Sequence, residues 1–380
     1  MINILVIGSG AREAAIVYKL KKDGRNKIKI ICIGTNQNPA IDNLCRLYTF
    51  KKITYEDIKT FIGFNKINFA IIGPENPLKE GIADLLEENG IPCMGPLRQY
   101  AQIETSKIFA RQFLDKHGLN EYSPKYLVYD GNNFDDIKKL SDKLVVKFDG
   151  LHGGKGVKVQ DIDFDHIDDL IPEIEESKEA IICEEKLEGE EFSLMAITDG
   201  IGNIRHFPPI QDYKRLKDND LGPNTGSMGS VSFKNHCLPF LEKHDILKAQ
   251  YINKQIVRSL KKENGDNLGF KGIIYGSYIK TKDGIKVIEY NARLGYENSL
   301  TIPYKEDFQR GANQDKIFYG ASLKALYNLG IKKGYSLIGT NMNGNNAFFV
   351  KNKLIVGTKL TSKKPSECFN FNSCAPNRSV

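Results

Sequence analysis

The sequence predicts an α/β protein: an N-terminal domain built on a parallel sheet, followed by a centre of α+β character. Three observations carry this. Short apolar runs at 2–7, 28–33 and 69–72 alternate with helix-like stretches at 13–20 and 77–89, the pattern of strands joined by helical crossovers. Turn-forming segments at 8–12 and 73–77 follow two of those strands, where open parallel sheets bind ligands. From residue 144 onward the pattern changes to paired strands closed by glycine-rich or acidic turns.

The first strand runs into Gly8-Ser9-Gly10 and then a helix. Such a turn offers backbone N–H groups and a helix N-terminus to an anion. A dinucleotide fingerprint wants a third small residue and an acid at the end of the next strand. Here Glu13 takes the third position, and the next strand ends in Gly34-Thr35-Asn36. A nicotinamide dinucleotide is disfavoured; a bare βα turn or another phosphate-bearing ligand stays open. A short strand is expected at 47–50. The second loop, Gly73-Pro74-Glu75-Asn76-Pro77, is either a plain turn or part of the same site. Gly95-Pro96 reads as a boundary, followed by a helix at 105–117 and a strand at 125–129.

The stretch "LVVKFDGLHGGKGVKV" (144–159) places two strands around a loop that contains Gly153, Gly154, Lys155 and Gly156. It is not a P-loop, because a strand follows it. A glycine-rich hairpin closes over phosphates with its amides, and Lys155 adds mobile positive charge. Lys147 lies inside the preceding apolar strand, where a charge must pair, snorkel or meet a ligand. In "IICEEKLEGEEFSLMAI" (181–197), Glu184 is expected to follow one strand and Glu191 to precede the next, either in a solvated hairpin or facing an amine or a ribose diol. The polar stretch 211–230 is too long for a plain connection. Lys214 and Arg215 there suit phosphate, and Asn224, Thr225 and Gly226 suit an anion-holding turn. Finally, strands at 272–279 and 285–290 form a hairpin that ends in Glu289-Tyr290-Asn291-Ala292-Arg293. Glu289 and Asn291 point to one face of a strand, and a carboxylate beside an amide oxygen suits a hard cation such as Mg²⁺. Arg293 continues that face and suits a transferred phosphoryl group.

Composition bounds the rest. With 380 residues, 41% hydrophobic and 27% charged, the chain has material for two or three soluble domains. The net charge of +7 is dispersed without a basic aromatic stripe, which favours small phosphorylated ligands over nucleic acid. Seven cysteines without a CxxC pair suit reduced thiols. The absence of a bilayer-length apolar run and of a basic leader points to the cytoplasm.

The motifs "VIGSGARE", "IIGPENPL", "VVKFDGLHGGKGV", "EEKLEGEEFSL", "QDYKRL", "GPNTGSMG" and "VIEYNARLG", in this order over about residues 1–300, resemble the ATP-grasp superfamily. Within it the chain is most similar to the phosphoribosylamine–glycine ligases. The resemblance implies an ATP-grasp fold with an N-terminal pre-ATP-grasp domain (1–103) and an ATP-grasp domain (104–325) carrying a lid at about 123–193. It also implies a reduced C-terminal domain (326–380), with a closing strand and helix missing.

The implied chemistry is ATP-dependent activation of an amino-acid carboxylate as an acyl phosphate, followed by attack of a phosphorylated amine. ATP and Mg²⁺ or Mn²⁺ are the implied cofactors. Lys107 and Lys147 would hold ATP phosphates, and Gly153, Gly154, Lys155 and Gly156 would cover them. Glu184 would face the adenine side and Glu191 the ribose. Glu289 and Asn291 would bind the metal, with Arg293 and Lys155 as catalytic cations. Gly8, Gly10, Arg12, Glu13, Pro74, Glu75, Asp212, Lys214, Asn224, Thr225 and Arg293 would surround the amine substrate. Two departures stand out: Ala14 replaces the family's histidine, and Leu294-Gly295-Tyr296-Glu297-Asn298 replaces its Phe-Gly-Asp-Pro-Glu. They leave open a ligase using another amino acid or amine, and a non-catalytic nucleotide-binding regulator.

Overall fold

The computed structural model describes residues 2–24, 27–152, 156–217, 221–224, 227, 229–233, 237–264, 269–295, 331, 334–340, 347–355 and 361–364. The first five strands, β1 (Ile2–Ile7), β2 (Ile28–Gly34), β3 (Arg46–Thr49), β4 (Phe69–Ile72) and β5 (Cys93–Met94), form one parallel sheet in the order β3-β2-β1-β4-β5. In β1, Leu5 and Ile7 enter one apolar cluster and Ile4 and Val6 another, as suits a sheet covered on both faces. The cover is α1 (Ala11–Gly24), α2 (Pro39–Asp42), α3 (Tyr55–Phe64), α4 (Glu75–Lys79) and α5 (Ile82–Glu88). The strand order reverses at β1, so the carboxyl ends of β1 and β4 open a crevice between them. Residues 8–12 and 73–77 flank that crevice.

The single helix expected at 77–89 is two. Gly81 between them takes the left-handed conformation (φ 78°), which a continuous helix cannot contain. The helix expected at 105–117 is α7 (Lys107–Lys116), and a helix the sequence reading did not include, α6 (Arg98–Thr105), precedes it. Ser106 between them is extended, and its hydroxyl accepts the Phe109 N–H as an N-cap.

A second, antiparallel sheet has the order β6-β9-β7-β8, from β6 (Tyr126–Val128), β7 (Leu144–Phe148), β8 (Val157–Val159) and β9 (Ile181–Glu185). With α8 (Phe134–Leu140) and α9 (Ile171–Ser177) it encloses its own apolar cluster, which includes Ile137, Val146, Phe148, Ile174 and Ile181. Glu184 lies within β9, not after it.

The central region begins with β10 (Glu190–Asp199) and β11 (Ile204–His206), so Glu191 is also inside a strand. Short pairs follow: β12 (Gln211–Asp212) with β15 (Ser230–Val231), and β13 (Arg215–Lys217) with β14 (Leu221–Asn224). The chain continues through α10 (Lys243–Asn264) into β16 (Lys271–Thr281) and β17 (Gly284–Asn291), giving a sheet ordered β11-β10-β16-β17. One face of that sheet packs Phe192, Leu194, Ile274 and Tyr278 against Ala249, Ile252 and Ile256 of α10. The opposite face carries Glu191, Ser193, Tyr275, Ser277, Glu289 and Asn291, fixed by the pairs Ser193↔Ser277, Ser277↔Glu289 and Tyr275↔Asn291. Gly272 seats the first sheet on this one: a Cβ there would lie 3.1 Å from the Gly95 nitrogen, just after β5. A last hairpin, β18 (Tyr335–Thr340) with β19 (Ala347–Lys351), precedes a short helix at Asn352–Ile355. No described helix is long and apolar enough to cross a membrane.

Candidate active site

At the crevice, the glycine turn is built around a carboxylate. Glu13 is buried in the first turn of α1, and its Oε2 accepts the Gly10 N–H at 2.6 Å. A Cβ on Gly8 would fall 2.7 Å from the Glu13 Cδ, and one on Gly73 would fall 1.9 Å from its Oε1. The glycines of the two loops make room for this side chain. The N–H that a dinucleotide turn would give to pyrophosphate is given to Glu13. Arg12, also buried, donates from Nη1 to the Gly73 carbonyl at 2.8 Å and lies 3.6 Å from Glu13 Oε1. Burial holds the Glu13 carboxyl above its ordinary value, against the pull of Arg12 and the Gly10 N–H.

Pro74 is the N-cap of α4, and Glu75 is its first residue. Glu75 joins this loop to the central region: its Oε2 lies 3.1 Å from Arg293 Nε. Glu104 Oε1 lies 3.0 Å from the same nitrogen, while its Oε2 accepts the Ala292 N–H at 2.7 Å. A small cavity between the two sheets is lined by Arg12, Ile72, Met94, Ile273, Arg293 and Leu294.

The second charged centre surrounds Lys147. Its Nζ lies 2.7 Å from Glu184 Oε2 and donates to the Ile288 carbonyl at 3.2 Å. Arg111 of α7 grips Glu184 with both arms, Nε to Oε1 at 2.7 Å and Nη2 to Oε2 at 2.9 Å. Its guanidinium also donates to the carbonyls of Val287 (3.0 Å) and Ile288 (2.6 Å). Those carbonyls border an irregularity in the β16–β17 pairing, next to Glu289. Burial works against the Glu184 charge, but Arg111 and Lys147 overcome it and hold the carboxyl at about 2. Lys147 is pulled below its ordinary value by burial, with Glu184 resisting.

Lys107 begins α7. Its N–H and that of Ile108 donate to Asp149 Oδ1 at 2.6 and 3.2 Å, Ser106 Oγ donates to Oδ2 at 2.9 Å, and Lys107 Nζ donates to the Gly150 carbonyl at 2.7 Å. The helix end is thereby tied to the glycine-rich loop. Gly156 closes that loop, its carbonyl accepting the Phe148 N–H at 2.9 Å. Gly153, Gly154 and Lys155 lie outside the described residues, as does Thr225.

Glu289 and Asn291 face the same way from β17. Lys214 Nζ lies 4.0 Å from Glu289, and Arg293 Nη2 donates to Asn291 Oδ1 at 3.4 Å. Burial disfavours the Glu289 charge, but Lys214, Lys147, Lys107 and Arg293 outweigh it and hold the carboxyl below its ordinary value. A charged carboxylate beside an amide oxygen is a donor set suited to a hard divalent cation that keeps positions for phosphate oxygens. Among the described residues, no group of three or more His, Cys, Asp and Glu is placed to hold a metal. Glu191 is exposed near the start of β10. Asp212 accepts the Ser227 hydroxyl, and Asn224 pairs through its backbone with Arg215.

A family model described as the phosphoribosylglycinamide synthetase N domain matches residues 2–104, and one for the ATP-grasp (A) domain of the same synthetase matches 105–298. The chain belongs to the phosphoribosylglycinamide synthetase family. A phosphoribosylamine–glycine ligase of Methanosarcina barkeri is 39% identical over 312 residues, covering 79% of this chain and 69% of the relative. One from Methanococcus vannielii is 42% identical over 313 residues, with 79% and 69% covered. The crystal structure of a Thermotoga maritima phosphoribosylamine–glycine ligase superposes with a TM-score of 0.63 at 26% identity, covering 78% of this chain and 70% of that one. The chain has the ATP-grasp fold of this synthetase family.

Within that family frame, two residues of the site escaped the sequence reading: Arg111 and Glu104. Both are buried charges on helices, and their partners are distant in sequence. Ala14, where the family carries histidine, packs on the apolar cluster of Val6, Val17 and Ile41. Leu294 lines the cavity, while Tyr296, Glu297 and Asn298 lie outside the described residues.

Proposed function

We propose that this chain is an ATP-dependent ligase of purine synthesis. It joins glycine to 5-phosphoribosylamine through a glycyl phosphate, giving glycinamide ribonucleotide, ADP and phosphate. Family membership supports the reaction class. The observation that carries the assignment to these residues is the convergence of Lys107, Lys147, Lys214 and Arg293 on Glu289, beside the β1–β4 crevice.

In this reading Lys107 and Lys147 neutralise ATP phosphate oxygens, and Glu184 keeps Lys147 in place. Gly153, Gly154, Lys155 and Gly156 cover the phosphates, and Glu191 receives the ribose hydroxyls. Glu289 and Asn291 hold Mg²⁺, which when bound draws charge off the phosphate oxygens. Arg293 faces the phosphoryl group in transfer to the glycine carboxylate, and Lys155 adds charge from the lid. Gly8, Gly10, Arg12, Glu13, Pro74 and Glu75 border the amine substrate, with Asp212, Lys214, Asn224 and Thr225 closing the other side. The amine attacks the acyl carbon, the C–N bond forms, phosphate leaves with the C–O electrons, and the nitrogen gives up one proton to solvent or to the departing phosphate. The reading carries with it the division at 1–103, 104–325 and 326–380, small-molecule partners and a cytoplasmic setting.

The test is ADP release by the purified protein with ATP, Mg²⁺ and freshly formed phosphoribosylamine, comparing glycine with other amino acids and weighing products by mass spectrometry. Glycine-dependent ADP with glycinamide ribonucleotide is expected. Turnover only with another acid or amine would refute the glycine assignment and make Ala14 a mark of changed selectivity.

A further inference from the structure

Arg293 is long and flexible, and its usefulness to a reacting phosphoryl group depends on where its two terminal nitrogens point. Its inner nitrogen, Nε, lies between two carboxylates, Glu104 Oε1 at 3.0 Å and Glu75 Oε2 at 3.1 Å. The two are not equivalent. Glu104 is buried near the end of α6, and its second oxygen is pinned by the Ala292 N–H at 2.7 Å, the residue just before Arg293. Glu75 belongs to the crevice loop and is less deeply buried. With the two carboxylates at ion-pair distance from Nε, Nη1 reaches the Leu294 carbonyl at 3.2 Å and Nη2 reaches Asn291 Oδ1 at 3.4 Å. The outer edge of the guanidinium is thus presented beside Asn291.

We infer that Glu104 is a positioning residue for Arg293, balancing the pull of Glu75 so that the guanidinium stays against Asn291; this rests on the ligase reading given above. Without the Glu104 charge, Glu75 is the remaining carboxylate at Nε, and it draws the arginine toward the crevice. Glu104 touches no reacting atom, so its effect passes through Arg293.

The experiment is a double-mutant cycle on the full chain, read as ADP release with ATP, Mg²⁺, glycine and phosphoribosylamine. Glu104→Gln keeps an oxygen for the Ala292 N–H but removes the negative charge 3.0 Å from Nε. The expected result is a fall in kcat of about 10- to 100-fold, typical of losing a group that orients a catalytic one, with the KM for ATP unchanged. Arg293→Lys has no planar guanidinium to orient, so adding Glu104→Gln to it costs nothing further. Equal losses in both backgrounds would overturn the inference, as would a rise in ATP KM matching the fall in kcat. If the glutamine variant does not fold, Glu104→Asp, which keeps the charge but is one methylene too short, carries the same cycle with the same two outcomes. A wild-type chain without turnover would instead overturn the ligase reading itself.

Discussion

Replacing Arg111 with methionine removes the guanidinium while filling much of its volume. Four hydrogen bonds disappear, two to Glu184 and one each to the carbonyls of Val287 and Ile288. Glu184 keeps Lys147 at 2.7 Å, and the Ile288 carbonyl keeps the Lys147 ammonium at 3.2 Å. What is stranded is Glu184 Oε1 and the Val287 carbonyl. Breaking a buried pair by removing one member costs about 3–5 kcal/mol, and the surviving lysine sets the loss near the lower end, about 3 kcal/mol. At about 2 °C per kcal/mol in a chain of this size, the thermal midpoint falls by about 6 °C. Glu184, released from the fork, turns both oxygens on Lys147 and draws its charge from the phosphate. The KM for ATP therefore rises about tenfold, the equivalent of one hydrogen bond to a charged group. Scanning calorimetry and ADP-release kinetics on Arg111→Met and Arg111→Lys read both effects. The lysine keeps the charge but not the fork, and recovers only part of each. A methionine variant with an unchanged midpoint and unchanged KM would refute the role given to this triad.

Three further outcomes are expected. Glu289→Ala abolishes ATP turnover and leaves the far-ultraviolet circular dichroism of the fold intact; an unchanged rate would sink the metal assignment. His206 is pushed down to about 4 by burial, helped by Lys254, from an ordinary value of 6.5. The unfolded chain binds a proton there that the folded chain refuses, so its contribution is complete above pH 6.5 and is lost as pH falls toward 4. Denaturant titrations of His206→Gln are expected to lack that part of the slope, and an unaltered slope would contradict the assignment. Gly73→Ala drives a methyl into Glu13 and costs about 1–3 kcal/mol in denaturant unfolding; Glu13→Ala added to it recovers stability if the crowding is the cause.

The parallel sheet was legible because β1, β2 and β4 are largely apolar and the turns after β1 and β4 are marked by glycine and proline. The break at Gly81 was not, because one glycine inside an amphipathic run reads as a tolerated helical residue until its left-handed conformation is seen. Lys147 announced itself as a lone cation in an apolar strand, and the structure buries it as that pattern requires. Glu184 was visible as an acid, yet nothing local reveals that its carboxylate lies between Arg111 and Lys147. The Arg111 bond to Glu184 spans 73 residues and the Glu104 bond to Ala292 spans 188. Such pairs leave no trace in periodicity, which reports only neighbours along the chain.

The segment 104–111 shows why Glu104 and Arg111 were hidden and what they do together with Lys107. Glu104, Lys107 and Arg111 stand at i, i+3 and i+7, a spacing that on one unbroken helix makes a charged stripe and reads as a solvated face. The extended backbone at Ser106 cuts that stripe in two. Glu104 then ends one helix beneath Arg293, Lys107 starts the next against the glycine-rich loop, and Arg111 reaches Glu184 and the carbonyls before Glu289. One short stretch of chain thus braces Arg293, the glycine-rich loop and Lys147. Its rigidity comes from Asp149, which takes the first N–H groups of α7 and the Ser106 hydroxyl. A shift of this junction would move all three centres at once, so the relative placement of Lys147, Arg293 and the glycine-rich loop depends on one helix cap.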